Sequence, residues 1–385
     1  MRSTIYFDYN ATTPVDPRVF DVMKHYFCQE FGNPHSSEHY LGWQADKAVQ
    51  MSRDKIAKLI GADPDEIFFT SGATEANNLA LLGSGRRAGR VKTRILISSI
   101  EHKCVIESAV ALKKTNNFEV NHVFVDQNGK VNLDHLLSLV NDDVLLISIM
   151  AVNNEIGTLQ DLEKIGQIAR EHGIIYHCDA AQAPCALNID VFKQNIDMLS
   201  LSSHKFYGPK GIGALYIRRE LQDKIEPIIY GGGQQGGLRS GTIPVPLCVG
   251  MGAAAELILS SGGERNELRQ KTAYFWSKLQ QANWQIHLNG PELNERHPGN
   301  LNVRFPGFFA QDILASLQPQ LAAASGAACT SGVPGQSHVL RAIGLSEEES
   351  SNSIRFSLGR FTSFEEIDEA VVLIDKGLQS LGLSR

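Results

Sequence analysis

The stretch DVLLISIMAVNNEIGTLQDLEKIGQIAREHGIIYHCDA, residues 143–180, decides the fold class of this chain. It begins and ends with apolar, β-rich runs, DVLLISIM and IIYHCDA, and the amphipathic run DLEKIGQIAREHG lies between them. A strand, a helix and a second strand in this order form the unit from which parallel sheets are built. We therefore expect two parallel strands here, joined by a helix that covers one face of the sheet.

The same alternation extends outward, from about residue 60 to about residue 220. The other strand-like runs are EIFFT, RILISS, EVNHVFVD, DMLSLS and GALYIRR. Together with the two runs of the central unit they predict a mostly parallel seven-stranded sheet with helices on both faces, an α/β fold. Ligands bind such sheets where strands end and loops begin, so the loops after these strands are the expected location of a site.

The pattern changes near residue 245. Two long helical stretches, 245–260 and 264–282, precede short strands such as NLNVRF and SIRFSL. At 385 residues the chain is longer than a single core usually supports. We expect a large α/β domain over residues 15–258 and a smaller α+β domain formed by residues 1–14 and 259–385.

Composition excludes several classes of protein. Hydrophobic residues make up 43% of the chain and charged residues 20%, as in ordinary globular proteins. A net charge of −6 gives no reason to expect nucleic-acid binding, and no apolar run reaches membrane-spanning length. The start, MRSTIYFDYNATTPVDP, lacks the apolar core of a signal peptide, and the six cysteines form no CxxC pair. We therefore expect reduced thiols and a cytoplasmic protein.

A lysine interrupts the apolar runs between the last two predicted strands, in LSLSSHKFYGPKGIGALYIRR, residues 199–219. Lysine is rarely buried unless a partner pairs or reacts with it, and burial lowers its pKa enough for the amine to condense with an aldehyde. In amino-acid chemistry that aldehyde is usually pyridoxal phosphate, so Lys205 is the candidate attachment site. The alternatives are a solvated turn lysine and a phosphate loop at GPKGIG, which lacks the Walker A spacing.

Other strand ends offer the further groups that such a cofactor needs. Asp179, at the end of IIYHCDA, suits the pyridine nitrogen, and its alternative role is the N-cap of the following turn. Gln182 suits the phenolic oxygen of the ring. A phosphate needs backbone amides at a helix start together with hydroxyl groups. The candidates for it are Ala73 and Thr74 in SGATE, with Ser202 and His204 from the lysine loop.

Three polar residues in other segments are candidates for contacts with cofactor or substrate. His102, in SIEHKCV, has a ring that suits stacking and proton transfer, and a helix-start or surface histidine is the alternative. Asn154, in VNNEIG, follows another strand and faces the same crevice. Arg355 lies inside the strand-like SSNSIRFSLGR and needs an anion. A guanidinium suits an α-carboxylate, and an ion pair with a local glutamate is the alternative.

One cysteine stands in an unusual segment, LAAASGAACTSGVPGQS. The run has too few bulky side chains to pack a core, so its composition predicts a mobile loop. Most single cysteines are inert and buried, but exposure and reactivity follow for Cys329 if the segment is a loop. A loop thiol near a pyridoxal phosphate lysine indicates nucleophilic attack on a bound substrate.

Taken together, these motifs resemble those of cysteine desulfurases of the IscS/NifS type, in the class V aminotransferase family of fold-type I pyridoxal phosphate enzymes. The resemblance runs nearly from end to end. It includes YFDYNATTPVDPRV, FGNPHS, FTSGATEANNLAL, EHKCV, VNNEIGTLQD, IIYHCDAAQ, SSHKFYGPKGIGALY, GGGQQGGLRSGT, SGAACTSG and SIRFSLGRFT. Few of them would be convincing singly, and as a set they are highly specific.

The resemblance implies roles for individual residues. Lys205 would bind the cofactor covalently, His102 would stack on it, and Asp179 and Gln182 would contact its ring. The implied phosphate contacts are Ala73, Thr74, Ser202, Ser203, His204 and, across a homodimer interface, Thr242. The implied substrate-carboxylate ligands are Asn154, which is also among the implied cofactor contacts, and Arg355. Cys329 would carry a persulfide.

The implied reaction converts L-cysteine to L-alanine and passes the sulfur, as a persulfide on Cys329, to an acceptor protein. The acceptor stays open between an iron–sulfur scaffold, a tRNA-thiolation carrier and a DNA-phosphorothioation system. In the first case Cys329 would also serve as a transient iron–sulfur ligand. Another class V enzyme, a nucleotide-binding module and a scaffold without catalysis are the alternative functions.

Overall fold

The computed structural model describes residues 4–88, 91–325 and 337–382. Its strands are β1 Ile5–Tyr6, β2 Ile67–Thr70, β3 Arg94–Ser98, β4 Glu119–Val123, β5 Val144–Ser148, β6 Ile175–Asp179, β7 Met198–Ser202, β8 Gly213–Ile217, β9 His287–Leu288, β10 Asn300–Arg304, β11 Leu321–Ala322, β12 Ala324–Ser325 and β13 Ser353–Ser357. Its α-helices are α1 Pro17–Met23, α2 His25–Cys28, α3 Tyr40–Ile60, α4 Ala73–Ala88, α5 Lys103–Asn116, α6 Leu133–Leu139, α7 Leu162–Glu171, α8 Val245–Ser260, α9 Glu264–Gln281, α10 Ala310–Ser316, α11 His338–Ala342, α12 Glu347–Ser351 and α13 Phe364–Ser380.

Seven strands form the central sheet, in the order β2-β8-β7-β6-β5-β3-β4. All of the neighbouring pairs are parallel except those that involve β8, which runs antiparallel to both β2 and β7. The predicted mostly parallel seven-stranded sheet is therefore confirmed. The connection from β7 to β8 is too short for a parallel crossover, which explains why β8 reverses direction.

Both faces of this sheet are covered by apolar cores, which explains why its inner strands are apolar throughout. Every residue of β5, β7 and β8 is buried. On the β5–β6 crossover, Asp161 caps α7 by accepting a hydrogen bond from the backbone N–H of Lys164. Gly166 lets α7 pack closely against the backbone at Gln194, because a Cβ at position 166 would lie 1.8 Å from the carbonyl oxygen of Gln194.

A separate apolar core lies around the antiparallel sheet β12-β13-β10-β9. The N-terminal segment belongs to this core, because β1 pairs in parallel with β11 and Phe7 is fully buried. The ring of Phe275 on α9 lies between the N-terminal segment and the antiparallel sheet. It packs edge-on against Phe7 and Phe356, with ring centroids 5.3 Å apart in both pairs. The domain boundaries at residues 15 and 258 stay a prediction.

No single helix in the described ranges is long and apolar enough to cross a membrane. One bent pair, α8 with α9, passes the same test by length and composition, with 79° between its helices.

Replacing Phe275 by alanine tests the second core. Phe275 is fully buried, so Phe275→Ala should lower the free energy of unfolding by about 3–5 kcal/mol through lost burial and a residual cavity. Urea unfolding followed by circular dichroism measures this. The matched control is Phe192→Ala, at a phenylalanine that is 54% exposed. Equal losses in the two variants would contradict the assignment of Phe275 to a packed core.

Candidate active site

The loops after the parallel strands enclose a cavity of about 710 Å³. Because the carboxyl ends of these strands meet at one edge of the sheet, residues far apart in sequence come together there. The sequence-predicted residues that line this cavity are Ala73, Thr74, His102, Asn154, Asp179, Gln182, Ser202, His204, Lys205 and Arg355. Ser203 and Thr242 do not line it, and Cys329 lies outside the described residues.

Lys205 ends a single 3₁₀ turn, Ser203–Lys205, that directly follows β7. Its Nζ donates hydrogen bonds to the carbonyl oxygens of Asn10 and Ala11, at 2.6 and 2.9 Å. Lys205 therefore lies on the cavity wall and is not the solvated turn lysine of the alternative interpretation.

Asp179 is the last residue of β6 and is 5% exposed. Its Oδ2 accepts a hydrogen bond of 2.7 Å from Asn77 Nδ2, and its Oδ1 accepts one of 3.0 Å from the backbone N–H of Ala181. The carboxylate thus caps the following turn and also lines the cavity, so the two interpretations drawn from the sequence are compatible. Cys178 points the other way, into the core behind the sheet.

His102 is the N-cap of α5, and its Nδ1 accepts a hydrogen bond of 3.2 Å from the backbone N–H of Cys104. Burial lowers the pKa of His102, and Lys205 acts in the same direction, while Asp179 opposes them. The imidazole is therefore neutral near pH 7. Because Nδ1 accepts, its proton is on Nε2.

Two further residues contact these side chains, and the sequence interpretation had missed both: Cys104, which lines the cavity, and Asn77, which is buried and does not line it. Asn77 Nδ2 contacts Cys104 Sγ at 3.1 Å in addition to Asp179, and His102 Nδ1 lies 3.0 Å from the same sulfur. Burial raises the pKa of the Cys104 thiol to about 12, so it stays protonated. The available signal was a polar residue, Asn77, among the small and apolar residues of a predicted helix.

The segment between β2 and α4 forms a small polar corner with the lysine loop. Gly72 has a φ of 154°, a conformation that L side chains rarely adopt, and a Cβ built there would lie 3.7 Å from Ser202 Oγ. His204 contributes a ring whose Nδ1 lies 3.0 Å from Thr12 Oγ1, and burial, followed by Lys205 and Lys210, lowers its pKa to about 4. This corner therefore presents uncharged donors and the start of a sixteen-residue helix.

Ser203 and Thr242 lie elsewhere. Ser203 is fully buried, its Oγ has no hydrogen-bond partner among the described residues, and it packs against Gly208. Thr242 is exposed and borders a separate cavity of about 120 Å³ beside Ser71 and Gly211.

Arg355, on β13, faces the cavity from the small sheet. Its Nη1 donates to the carbonyl oxygen of Asn154 at 3.0 Å, and its Nη2 donates to Asp8 Oδ1 at 2.6 Å. The acid that pairs with Arg355 is thus an aspartate of the N-terminal segment and not the local glutamate of the alternative interpretation.

The N-terminal segment, residues 8–13, contributes more to the site than its sequence indicates. Besides the carbonyls that hold Lys205, the carbonyl oxygen of Asn10 accepts a hydrogen bond of 2.8 Å from Gln182 Nε2. Asn10 Nδ2 in turn donates to the carbonyl oxygen of Asn154 at 3.3 Å. These contacts depend on folding over more than a hundred residues, and no local pattern indicates them.

Two buried residues support the loops around the cavity. Glu155 Oε2 accepts a hydrogen bond of 2.5 Å from Ser337 Oγ, and burial raises its pKa to about 7, opposed by Ser337 and Arg355. His177, two residues before Asp179, lies between Ser148 Oγ at 2.8 Å and Ser200 Oγ at 3.0 Å. It therefore links β5, β6 and β7 beneath the cavity.

The described ranges contain no group of three or more His, Cys, Asp or Glu residues that could hold a metal ion.

Comparison with known proteins places this geometry in a family. The model of the aminotransferase class-V family matches residues 5–370. A protein named cysteine desulfurase IscS from Rickettsia felis is 44% identical over 378 residues, which cover 98% of this chain and 92% of that protein. A solved NifS-like protein has a TM-score of 0.91 and 35% identity, covering 98% of this chain and all of its own. A structure described as SspA in complex with cysteine has a TM-score of 0.82 and 38% identity, covering 94% and 100%.

The buried imidazole of His177 makes stability depend on pH. Burial lowers its pKa from 6.5 to about 4, so the unfolded chain takes up a proton first as the pH falls. The contribution of His177 to the free energy of unfolding is fully present above the pKa that His177 has in the unfolded chain. It is lost as the pH falls toward the lower pKa of the folded state. When the pH is lowered from about 6.5 to 4.5, the free energy of unfolding of His177→Asn, measured with urea, should fall less than that of the wild type. The difference in slope should be up to about 1.4 kcal/mol per pH unit. Parallel pH profiles would contradict a neutral, buried His177.

Proposed function

The chain belongs to the aminotransferase class-V family and to its cysteine desulfurases, and from that premise we propose the role of each residue in removing sulfur from L-cysteine. The protein converts L-cysteine to L-alanine and transfers the sulfur onward. One observation carries the assignment of roles: Lys205, His102, Asp179 and Arg355, which come from four separate segments, all line the same cavity.

The residues that line the cavity fit pyridoxal 5′-phosphate. Asp179 offers a carboxylate to the pyridine nitrogen, Gln182 an amide to the phenolic oxygen, and Lys205 an amine for covalent attachment. The side-chain-free corner at Gly72, between the start of α4 and Ser202, suits the phosphate. When bound, this cofactor supplies an electron sink for the charge that develops at the substrate α-carbon.

Lys205 acts at the α-carbon of the substrate and Arg355 acts at its α-carboxylate. Arg355, together with Asn154, binds the α-carboxylate of L-cysteine through a guanidinium that is already fixed in the cavity wall. Lys205 Nζ takes the α-proton and later returns a proton. The carbonyl oxygens of Asn10 and Ala11 support this role, because they keep the amine at the cavity wall when it carries a proton.

His102 handles the proton of the substrate thiol. Its neutral state and its Nε2 proton support the role, because a neutral imidazole can both give and accept a proton near pH 7. Asp179 would offer its carboxylate to the pyridine nitrogen, and Asn77 holds that carboxylate in place.

Cys329 receives the sulfur. Its thiolate attacks the sulfur of L-cysteine, the carbon–sulfur bond of the substrate breaks, and a sulfur–sulfur bond forms on the enzyme. The products are a Cys329 persulfide and, after protonation of the former β-carbon, L-alanine, so no external oxidant or reductant is needed. The persulfide then passes to an acceptor protein such as an iron–sulfur scaffold or another persulfide carrier.

We propose that the chain functions as a homodimer. Five exposed aromatic side chains lie on or next to α1, α2 and the start of α3, and a second copy would remove them from water. They are Phe20, Phe27, Phe31, Tyr40 and Trp43. The exposed position of Thr242 beside Gly211 supports a phosphate contact across such an interface.

Substitution of the two proposed reactive residues separates their roles. Cys329→Ser should bind the cofactor and L-cysteine but release neither sulfide nor L-alanine, because it lacks the thiol that receives the sulfur. Lys205→Ala should retain no pyridoxyl group after borohydride treatment, as measured by mass spectrometry. Cys28→Ser removes an exposed thiol and should retain activity. Substantial sulfide and L-alanine from Cys329→Ser would refute the role of Cys329.

Charge introduced on the aromatic surface tests the dimer. Trp43 is 57% exposed, and Trp43→Arg should raise the dimer dissociation constant by about thirtyfold or more, because an aromatic anchor is lost and a charge is buried. Sedimentation velocity over a concentration series measures this. Phe309→Arg, at an aromatic residue of the small sheet's domain that is 61% exposed, is the matched control. A wild type that sediments as a monomer would refute the proposal.

A further inference from the structure

Arg355, the proposed ligand of the substrate carboxylate, is already paired with an acid inside the cavity. Asp8 Oδ1 lies 2.6 Å from Arg355 Nη2, and the side chains are only 22% and 7% exposed. Asp8 itself lines the cavity. An incoming carboxylate therefore meets a neutral ion pair and not an isolated cation.

The backbone holds Asp8 in this position from several sides. Its carbonyl oxygen accepts hydrogen bonds of 3.0 Å from the Tyr6 hydroxyl and the backbone N–H of Ala11. Asp8 also forms a parallel β-bridge with Ser357, two residues beyond Arg355. Because both partners are fixed by strand pairing, the carboxylate stays beside the guanidinium when substrate arrives.

The pair nevertheless leaves donors for a ligand. Each Nη of a guanidinium carries two N–H groups, and Arg355 Nη1 and Nη2 use one each, on the carbonyl of Asn154 and on Asp8. Among the described residues neither Nη has a second acceptor, so one N–H on each is available to a ligand. Arg355 can bind a second carboxylate while it keeps the first, and the two carboxylates then repel each other.

This repulsion acts on substrate and product alike. L-cysteine and L-alanine carry the same α-carboxylate, so a residue that weakens the hold of Arg355 on this group weakens both complexes. The weaker binding matters most for the product, because L-alanine leaves the site only when Arg355 releases its carboxylate. A weak hold on the carboxylate costs affinity for L-cysteine and speeds the release of L-alanine.

We propose that Asp8 determines how tightly the site binds an α-carboxylate, lowering the affinity of Arg355 for L-cysteine and L-alanine so that product is not retained. The proposal rests on the proposed function, which makes Arg355 the carboxylate ligand. Asp8 is a positioning residue, since its side-chain contact is with Arg355.

Asp8→Asn keeps an oxygen acceptor for Arg355 but removes the charge. In the holoenzyme it should lower the dissociation constant of L-alanine about three- to tenfold, as expected for loss of one partly exposed like charge. The change in absorbance of the bound cofactor measures this constant without turnover. L-alanine methyl ester, which has no carboxylate, should bind to wild type and variant equally. The KM for L-cysteine should fall with the L-alanine constant.

Further variants make the result decisive. Asp8→Ser removes the same charge with a smaller side chain and should shift L-alanine binding in the same direction, even if Asp8→Asn does not fold. Asp142→Asn removes an exposed charge elsewhere and should leave L-alanine binding unchanged.

Unchanged or weaker L-alanine binding in the uncharged Asp8 variants would overturn the proposal, and so would an equal shift for the methyl ester. These outcomes are distinct from failure of the proposed function. If the wild type forms no L-alanine from L-cysteine, the proposed function fails. If the wild type does so and only the Asp8 variants behave otherwise than expected, the inference about Asp8 alone fails.

Discussion

The contact of Lys205 Nζ with the carbonyl oxygens of Asn10 and Ala11 is the interaction on which the rest of the site depends. Lys205 follows a strand of the central sheet, whereas the two carbonyls belong to a segment that packs on the other apolar core. A hydrogen bond to a charged amine is worth about 1.5–3 kcal/mol, and the two bonds hold the amine and the segment together. The reactive amine and the N-terminal segment therefore position each other, and the same placement brings Asp8 to Arg355.

The central sheet and half of the site were predictable because both follow from topology. Alternating runs imply parallel strands, whose carboxyl ends meet, so Asp179 and Lys205 were expected in one crevice. Asn77, Asn10 and Asp8 were not predicted, because their partners lie 102, 195 and 347 residues away. Local patterns carry no information on such contacts. Ser203 differs from Ser202 because side chains alternate where β7 ends, so Ser203 points away from the cavity.

Burial divides the titratable groups around the cavity into charged and neutral ones. The pKa values of His102, His177 and His204 are all lowered, first by burial, so these rings carry no charge near neutral pH. Cys104 stays protonated for the same reason. The field in the cavity therefore comes from its acidic and basic side chains, which are Asp8, Asp179, Lys205, Lys210 and Arg355, and Asp8 is the acid in direct contact with Arg355.

The described residues on either side of the segment that carries Cys329 are both attached to the cavity. On one side, β12 pairs with β13, which places Ala324 opposite Arg355, and Ser325 lines the cavity. On the other side, Ser337 caps α11 and donates its hydroxyl to Glu155. Glu155 is itself fixed, because its carbonyl oxygen accepts hydrogen bonds from Asn300 and Asn302 at 3.2 and 3.1 Å. One hydrogen-bonded unit thus orients Arg355 and Asn154 and also fixes both neighbours of this segment. A change that weakens any of these contacts is therefore expected to disturb carboxylate binding and sulfur transfer together.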